Sequence, residues 1–286
     1  MRYRAFASRL ILWLLILLVA VVFLFPIYWI ITTSFKQQSD VVTLPPHLLI
    51  FHWTLDNYLS VIQGSSTFQA AVSVPDFMAD LLHSLFVGVI STALALVLGT
   101  PAAYSLARFR FRGRALIGLS ILATRILPPL GVLVPVFVLY GKVGLIDTFQ
   151  GLIVLYLSFS LSLVIWMMRG FISDVPAALE ECAMIDGTGR LGALVRITLP
   201  LVAPGLAATA ILSLLFNWNE FLFAVTLTSQ IARTAPVAAS LFLSSHVVVW
   251  GNLAAACVLI SGPIFVFVLL VQRQLVHGLV AGAVRE

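Results

Sequence analysis

The chain has 286 residues, of which 61% are hydrophobic and only 9% charged, and it carries a formal net charge of +5. A soluble domain carries about 25% charged residues, so this composition excludes a water-covered globule and reads as a polytopic membrane protein. The basic balance does not point to nucleic acid. The arginines stand beside the ends of apolar runs, where they set topology and meet anionic lipid heads.

The first element follows Arg2, Arg4 and Arg9. Its apolar run exceeds the usual core of about 7–15 residues in a secretory leader, and no small-x-small site follows. An uncleaved first helix is therefore expected. About 20 apolar residues cross a hydrocarbon core of ~30 Å, and such runs predict spans over 10–33, 81–107, 115–140, 151–168, 205–228 and 253–271. They lack the ten-residue alternation of an outer-membrane barrel. The expected fold class is all-α, with six transmembrane helices. Twelve of the 16 lysines and arginines fall in one set of connections, including Arg108, Arg110, Arg112, Arg114, Arg169, Arg190 and Arg196. The positive-inside rule then puts both termini in the cytoplasm.

Between the first two spans, 36–80 forms the longest extramembrane stretch, with Pro45-Pro46, Trp53, Tyr58 and Phe68. It predicts a cap of short helices and loops, dividing the chain into 1–80 and a five-helix core, 81–286. In the third span Pro128, Pro129 and Pro135 lack backbone donors and predict a kink or break. Backbone freed in this way is tolerated where it lines a cavity or packs on protein. Arg125, Asn217, Asn219 and Glu220 are the polar groups set deepest in apolar runs. Such groups face a bundle interior or an aqueous path, so they are candidates for a translocation pathway or for interhelical hydrogen bonds. Glu220 lies about 22 Å along the fifth span and Arg125 about 15 Å into the third, at 1.5 Å per residue, which leaves an Arg125–Glu220 pair open.

The segment 176–204 is a long polar-punctuated stretch between two spans, on the side the arginines assign to the cytoplasm. Ser173 or Asp174 can cap a helix and Pro176 suits its first turn. Val175, Ala178, Leu179, Cys182 and Ala183 then share one face, leaving Glu180 and Glu181 on the charged side. Gly187 supplies the positive φ that ends the helix. A second run places Leu191, Leu194, Val195, Thr198 and Leu199 on one face, up to Pro200. An interfacial helix would carry lysine and arginine on its polar face. The acidic face here favours a protein partner over lipid. Gly187, Gly189 and Gly192 spell G-x-G-x-x-G, but no strand precedes them and no βαβ unit surrounds them. There is also no P-loop. Cys182 and Cys257 make no disulfide framework. His47, His52, His83, His246 and His277 have no metal-ligand spacing, and no catalytic constellation can be argued.

The insert resembles the E-A-A loop of binding-protein-dependent ABC importer permeases. It stands here as Glu181-Cys182-Ala183-Met184-Ile185-Asp186-Gly187, followed by Leu199-Pro200 and Pro204. Three further stretches resemble the smaller maltose-transporter-type subunit of the carbohydrate-uptake branch: Phe25 to Lys36, Asn217-Trp218-Asn219-Glu220-Phe221, and the tail from Gly278 to Val284. The resemblance implies a type I ABC importer permease fold in a bacterial cytoplasmic (inner) membrane. It also implies that the chain carries no cofactor or catalytic site of its own. ATP and Mg would be bound by two copies of a cytoplasmic ABC ATPase. Glu180, Glu181, Cys182, Ala183, Asp186 and Gly187 would couple to that ATPase from the loop 170–204, and Gly278, Gly282 and Arg285 would reach it from the tail 272–286. A second homologous permease and an extracytoplasmic sugar-binding protein complete the implied assembly, with a sugar or polyol as substrate. Cys182 and Thr188 depart from the family's usual alanines, and Leu194 from a common aromatic. A secondary transporter driven by an ion gradient is the alternative; it predicts an inverted repeat, which the sequence does not display.

Overall fold

The computed structural model describes residues 2–48, 50–64, 76–243 and 248–283. In chain order its helices are α1 (Arg2–Ser34), α2 (Gln38–Val41), α3 (Asp56–Gln63), α4 (Phe77–Arg108), α5 (Arg114–Ala123), α6 (Pro129–Val143), α7 (Phe149–Asp174), α8 (Ala177–Ile185) and α9 (Arg190–Ala193). A π turn (Leu194–Thr198) follows, then α10 (Leu199–Leu201), α11 (Ala203–Trp218), α12 (Leu222–Leu227), α13 (Ala235–Ser240) and α14 (Trp250–Ala283). Among the described residues the only strand pairing is two isolated bridges, Lys36 with Trp53 and Leu243 with Val248. The all-α expectation holds. The predicted residues Phe68, His246 and Arg285 lie outside the described residues.

Among the described residues four helices are long and apolar enough to cross a membrane: α1 from Ile11, α4, α7 and α14 to Leu269. A fifth span results if Arg190–Leu201 and Ala203–Trp218, bent by 80°, count as one. The third predicted span is divided. α5 stops at Ala123 and α6 starts at Pro129, because Pro128 and Pro129 cannot donate to the preceding turn. Pro135, by contrast, stays inside α6. The fifth predicted span is also interrupted, at 219–221, where the sequence holds neither Gly nor Pro.

The chain folds as two compact units, one of 1–78 with 238–262 and one of 79–237 with 263–286. In the first unit α1 leaves nearly all its apolar side chains exposed from Ile11 to Ile31, Trp29 being half-buried, as a helix bounded by hydrocarbon would. Beyond it, Lys36 is buried, donates from Nζ to the His47 carbonyl at 2.6 Å, and sits 4.4 Å from the Trp29 ring centroid. Asn57 ties the Ser34 and Lys36 carbonyls. A Cβ on Gly251 would collide with Asn57, so only glycine allows that approach. In the second unit one core gathers Ala95, Tyr104, Val164, Met168, Ile172 and Leu194, and a second gathers Val87, Tyr140, Leu152, Tyr156 and Phe223.

Candidate functional site: a coupling loop and a polar cavity

α7 continues through Ser173 to its last residue, Asp174, so both belong to the end of α7, where buried Met168 and Ile172 keep it packed. Val175, held extended by the proline after it, turns the chain into α8, whose N-cap is Pro176 with no side-chain cap. The predicted cap at Ser173 or Asp174 is therefore corrected. At the other end Gly187 has φ +89°. Its N–H donates to the Met184 carbonyl and the Thr188 N–H to the Ala183 carbonyl, at 3.2 and 3.1 Å. This pair of bonds is a Schellman closure. The Thr188 hydroxyl adds a third bond, also to Ala183, so the departure from alanine at Thr188 reinforces the turn.

The predicted faces of α8 are partly reversed. Val175 and Ala183 are buried as expected, but Ala178, Leu179 and Cys182 are exposed. Glu181 and Asp186 are exposed too, whereas Glu180 is only 3% exposed. The cause is a polar partner supplied from α4. Glu180 Oε1 accepts from Arg108 Nε at 2.9 Å and Nη2 at 2.8 Å, and from the Thr198 hydroxyl at 2.8 Å. Its Oε2 accepts from the Tyr104 hydroxyl at 2.8 Å. Burial alone would raise the Glu180 pKa. The bonds from Arg108, Thr198 and Tyr104, with the arginine's charge, instead hold it below the usual carboxylate range.

In the second arm of the loop Leu194 and Thr198 are buried as expected, while Leu191 and Val195 are exposed. The π turn precedes Pro200, which has no N–H to return to Arg196. The outward side of the loop thus combines Leu179, Ile185, Leu191 and Val195 with Glu181, Asp186, Arg190 and Arg196.

The four polar residues predicted within spans are brought together. Arg125, Asn217, Asn219 and Glu220 line one cavity of about 510 Å³, with Tyr156, Phe159, Ser160 and Phe216 also on its wall. Arg125 sits in the break between α5 and α6, its guanidinium 5.5 Å from the Phe216 ring centroid. Glu220 is instead engaged with the next helix. Its Oε1 accepts the Phe223 N–H at 2.9 Å, and its Oε2 accepts the Ala224 N–H at 3.0 Å and the Tyr156 hydroxyl at 3.1 Å. Among the described residues the ion pairs do not include Arg125 with Glu220. Asn217 binds the hydroxyls of Ser160 (2.8 Å) and Thr92 (3.1 Å), joining α4, α7 and α11. It therefore packs helices as well as facing the cavity. Gly278 and Gly282 lie on the helical backbone of α14.

Sequence reasoning missed Asp147. It occupies the turn between α6 and α7 with φ +55°. Its carboxylate gathers the N–H groups of Ser229, Gln230, Ile231 and Ala232 and the Ser229 hydroxyl, at 2.7 to 3.1 Å. An isolated aspartate after a glycine-terminated helix was the available signal.

The family model of the binding-protein-dependent transport system inner membrane component matches residues 95–280. The chain belongs to that family. It is an ABC transporter permease subunit and a multi-pass protein of the cytoplasmic membrane, and hydrolysis of ATP belongs to a separate subunit. It is 38% identical over 266 residues to the trehalose transport system permease protein SugB of Mycobacterium tuberculosis, covering 92% of each chain. It is 34% identical over 271 residues to the trehalose/maltose transport system permease protein MalG of Thermococcus litoralis, covering 94% of each. In fold it is similar to a chain of a bacterial ABC transporter involved in import of the acidic polysaccharide alginate, with TM-score 0.75, 22% identity, and 94% and 96% of the two chains covered. A second alginate transporter structure, solved in complex with an alginate pentasaccharide-bound periplasmic protein, matches with TM-score 0.63 at 18% identity over 92% of this chain and 93% of that one.

Proposed function

We propose that this permease is a pore-forming subunit of an ATP-driven, binding-protein-dependent importer of a sugar or polyol. The observation that carries the reading is the outward face of α8 and α9. There an apolar strip lies among acidic and basic side chains, behind a turn that only a glycine at 187 enters without strain. Anionic lipid repels Glu181 and Asp186, and water leaves Ile185 and Leu191 unsatisfied. A protein groove satisfies both. Two copies of a cytoplasmic ATPase, closing on ATP, draw these loops together and switch the pore between inward- and outward-facing states. Glu181, Cys182, Asp186 and Gly187 form the contact surface, while Glu180 and Ala183 face the protein interior.

In this reading both termini are cytoplasmic. The six spans are counted by joining α5 to α6 across the Pro128 break and α11 to α12 across Asn219–Phe221. The N-terminal part, 1–80, contributes α1 and the outer cap, and 81–286 forms the core. The tail through Gly278, Gly282 and Arg285 meets the ATPase. A second homologous permease faces the cavity lined by Arg125, Asn217, Asn219 and Glu220, and an extracytoplasmic binding protein delivers the sugar. Relatives named for trehalose and maltose support a sugar substrate.

The test is reconstitution of the chain with its ATPase, second permease and binding protein in proteoliposomes, with uptake of labelled trehalose, maltose and glycerol followed with and without ATP. Uptake of one of these should require ATP and the binding protein. Gly187→Pro should abolish it and reduce co-purification of the ATPase. A bulky group attached at Asn219→Cys should block transport while sparing ATP hydrolysis. Uptake driven by an ion gradient without ATP, or normal transport by Gly187→Pro, would overturn the reading.

A further inference from the structure

The buried side of α8 is tied to α4 by polar groups that are largely shielded from solvent. Tyr104 and Arg108 are four residues apart and share a face of α4. Arg108 grips α8 twice, at the Glu180 carboxylate and, through Nη2, at the Val175 carbonyl just before the helix starts (2.7 Å). Thr198 brings the π turn to the same carboxylate. A second, independent tie joins the other arm of the loop: the Arg190 guanidinium lies 4.7 Å from the ring centroid of Phe109, the residue after α4 ends. The side chains of Arg108 and Glu180 are only 13% and 4% exposed.

A buried ion pair is a poor source of stability, because well-packed apolar residues of similar volume often serve as well or better. Its distinctive property is direction. Apolar surfaces in contact can slide with little resistance, whereas a carboxylate of α8 held by four donors, three on α4 and one on the π turn, fixes the angle between these segments. We propose that Glu180, clamped by Arg108, Tyr104 and Thr198, is a positioning residue that makes α8 and the inner end of α4 move as one rigid lever, so that a push on the loop is transmitted along α4. This rests on the coupling reading above and assigns Glu180 to transmission, not to contact with the ATPase.

The test uses the assembled complex in a Cys182→Ala, Cys257→Ser background, with spin labels at Leu82→Cys on α4 and Val225→Cys on α12, both exposed sites. The label-to-label distance is measured without nucleotide and with MgATP and vanadate. The parent complex should show a nucleotide-dependent change. Glu180→Gln should retain the co-purified ATPase and its hydrolysis, yet lose that change. Arg108→Met/Glu180→Leu replaces the pair by apolar volume; it should keep its thermal midpoint and also lose the change, which a merely structural pair would not do. It is the deciding variant if Glu180→Gln does not accumulate. Tyr104→Phe, which removes one donor, should retain part of the shift. A full distance change in the double variant overturns the proposal. Loss of the ATPase from Glu180→Gln also overturns it, because Glu180 then serves docking. Failure of the docking reading itself appears separately, as normal ATPase retention in Gly187→Pro.

Discussion

Asp147 illustrates how one carboxylate can organise a whole turn. Burial alone would raise its pKa. The amide and hydroxyl of Ser229 and the amides of Ala232 and Gln230 instead hold it well below the ordinary carboxylate range. With a depressed pKa, the stabilisation is fully present above the unfolded value of about 3.9 and is lost as pH falls through the folded value. Amides 229–232 should therefore keep their protection, relative to the intrinsic hydrogen-exchange rate at each pH, from neutral pH down to about pH 4 and lose it progressively below. Asp147→Asn keeps the shape but removes the charge, and charge-assisted bonds contribute about 1.5–3 kcal/mol. Exchange in this variant should be about tenfold faster or more already at pH 7. Unchanged protection would show that the turn is held by other contacts. The same reasoning separates Glu180 from Glu181: neighbours in sequence, they differ because only one finds donors inside the protein.

At the scale of elements, the close approach of α7 and α11 depends on a missing side chain. A Cβ at Gly205 would lie 2.4 Å from Phe171 Cγ, far inside van der Waals contact, and neither backbone can yield without disturbing the core of Val164, Met168 and Ile172. Gly205→Val should destabilise the solubilised complex by about 1–3 kcal/mol, read as a lowered thermal midpoint, with partial recovery when combined with Phe171→Ala. An unchanged midpoint would mean that the helices can part at no cost. Apolar runs and prolines made most elements legible: α4, α7, the break before α6 and the Gly187 stop follow from period and turn chemistry. The inward face of α8 did not, because its partner Arg108 stands 72 residues upstream and no local periodicity encodes it. The break at Asn219–Phe221 was also hidden. Its one signal was a glutamate placed to accept the first amides of the following helix.

For the whole molecule, the disposition of charge predicts which side of the membrane each part occupies. Cys182 is exposed on α8 and Cys257 is partly buried, so a native thiol reports on the loop. In a Cys257→Ser background, a membrane-impermeant maleimide should modify Cys182 in inside-out vesicles and not in right-side-out ones. Bound ATPase should slow that modification. Labelling from the outer side would invert the proposed topology. The cavity residues were legible as polar groups in apolar runs, but their convergence was not, since it depends on two helix breaks turning Arg125 and Glu220 toward one space.

The exposed strip of Leu179, Ile185, Leu191 and Val195 has a counterpart in α1, which is bare along nearly its whole apolar length. The two surfaces require different surroundings. Hydrocarbon or detergent satisfies α1, yet neither suits a strip interleaved with Glu181, Asp186, Arg190 and Arg196. A solitary copy therefore remains unfinished in any single solvent, and its completion is a matter of assembly order as much as of folding.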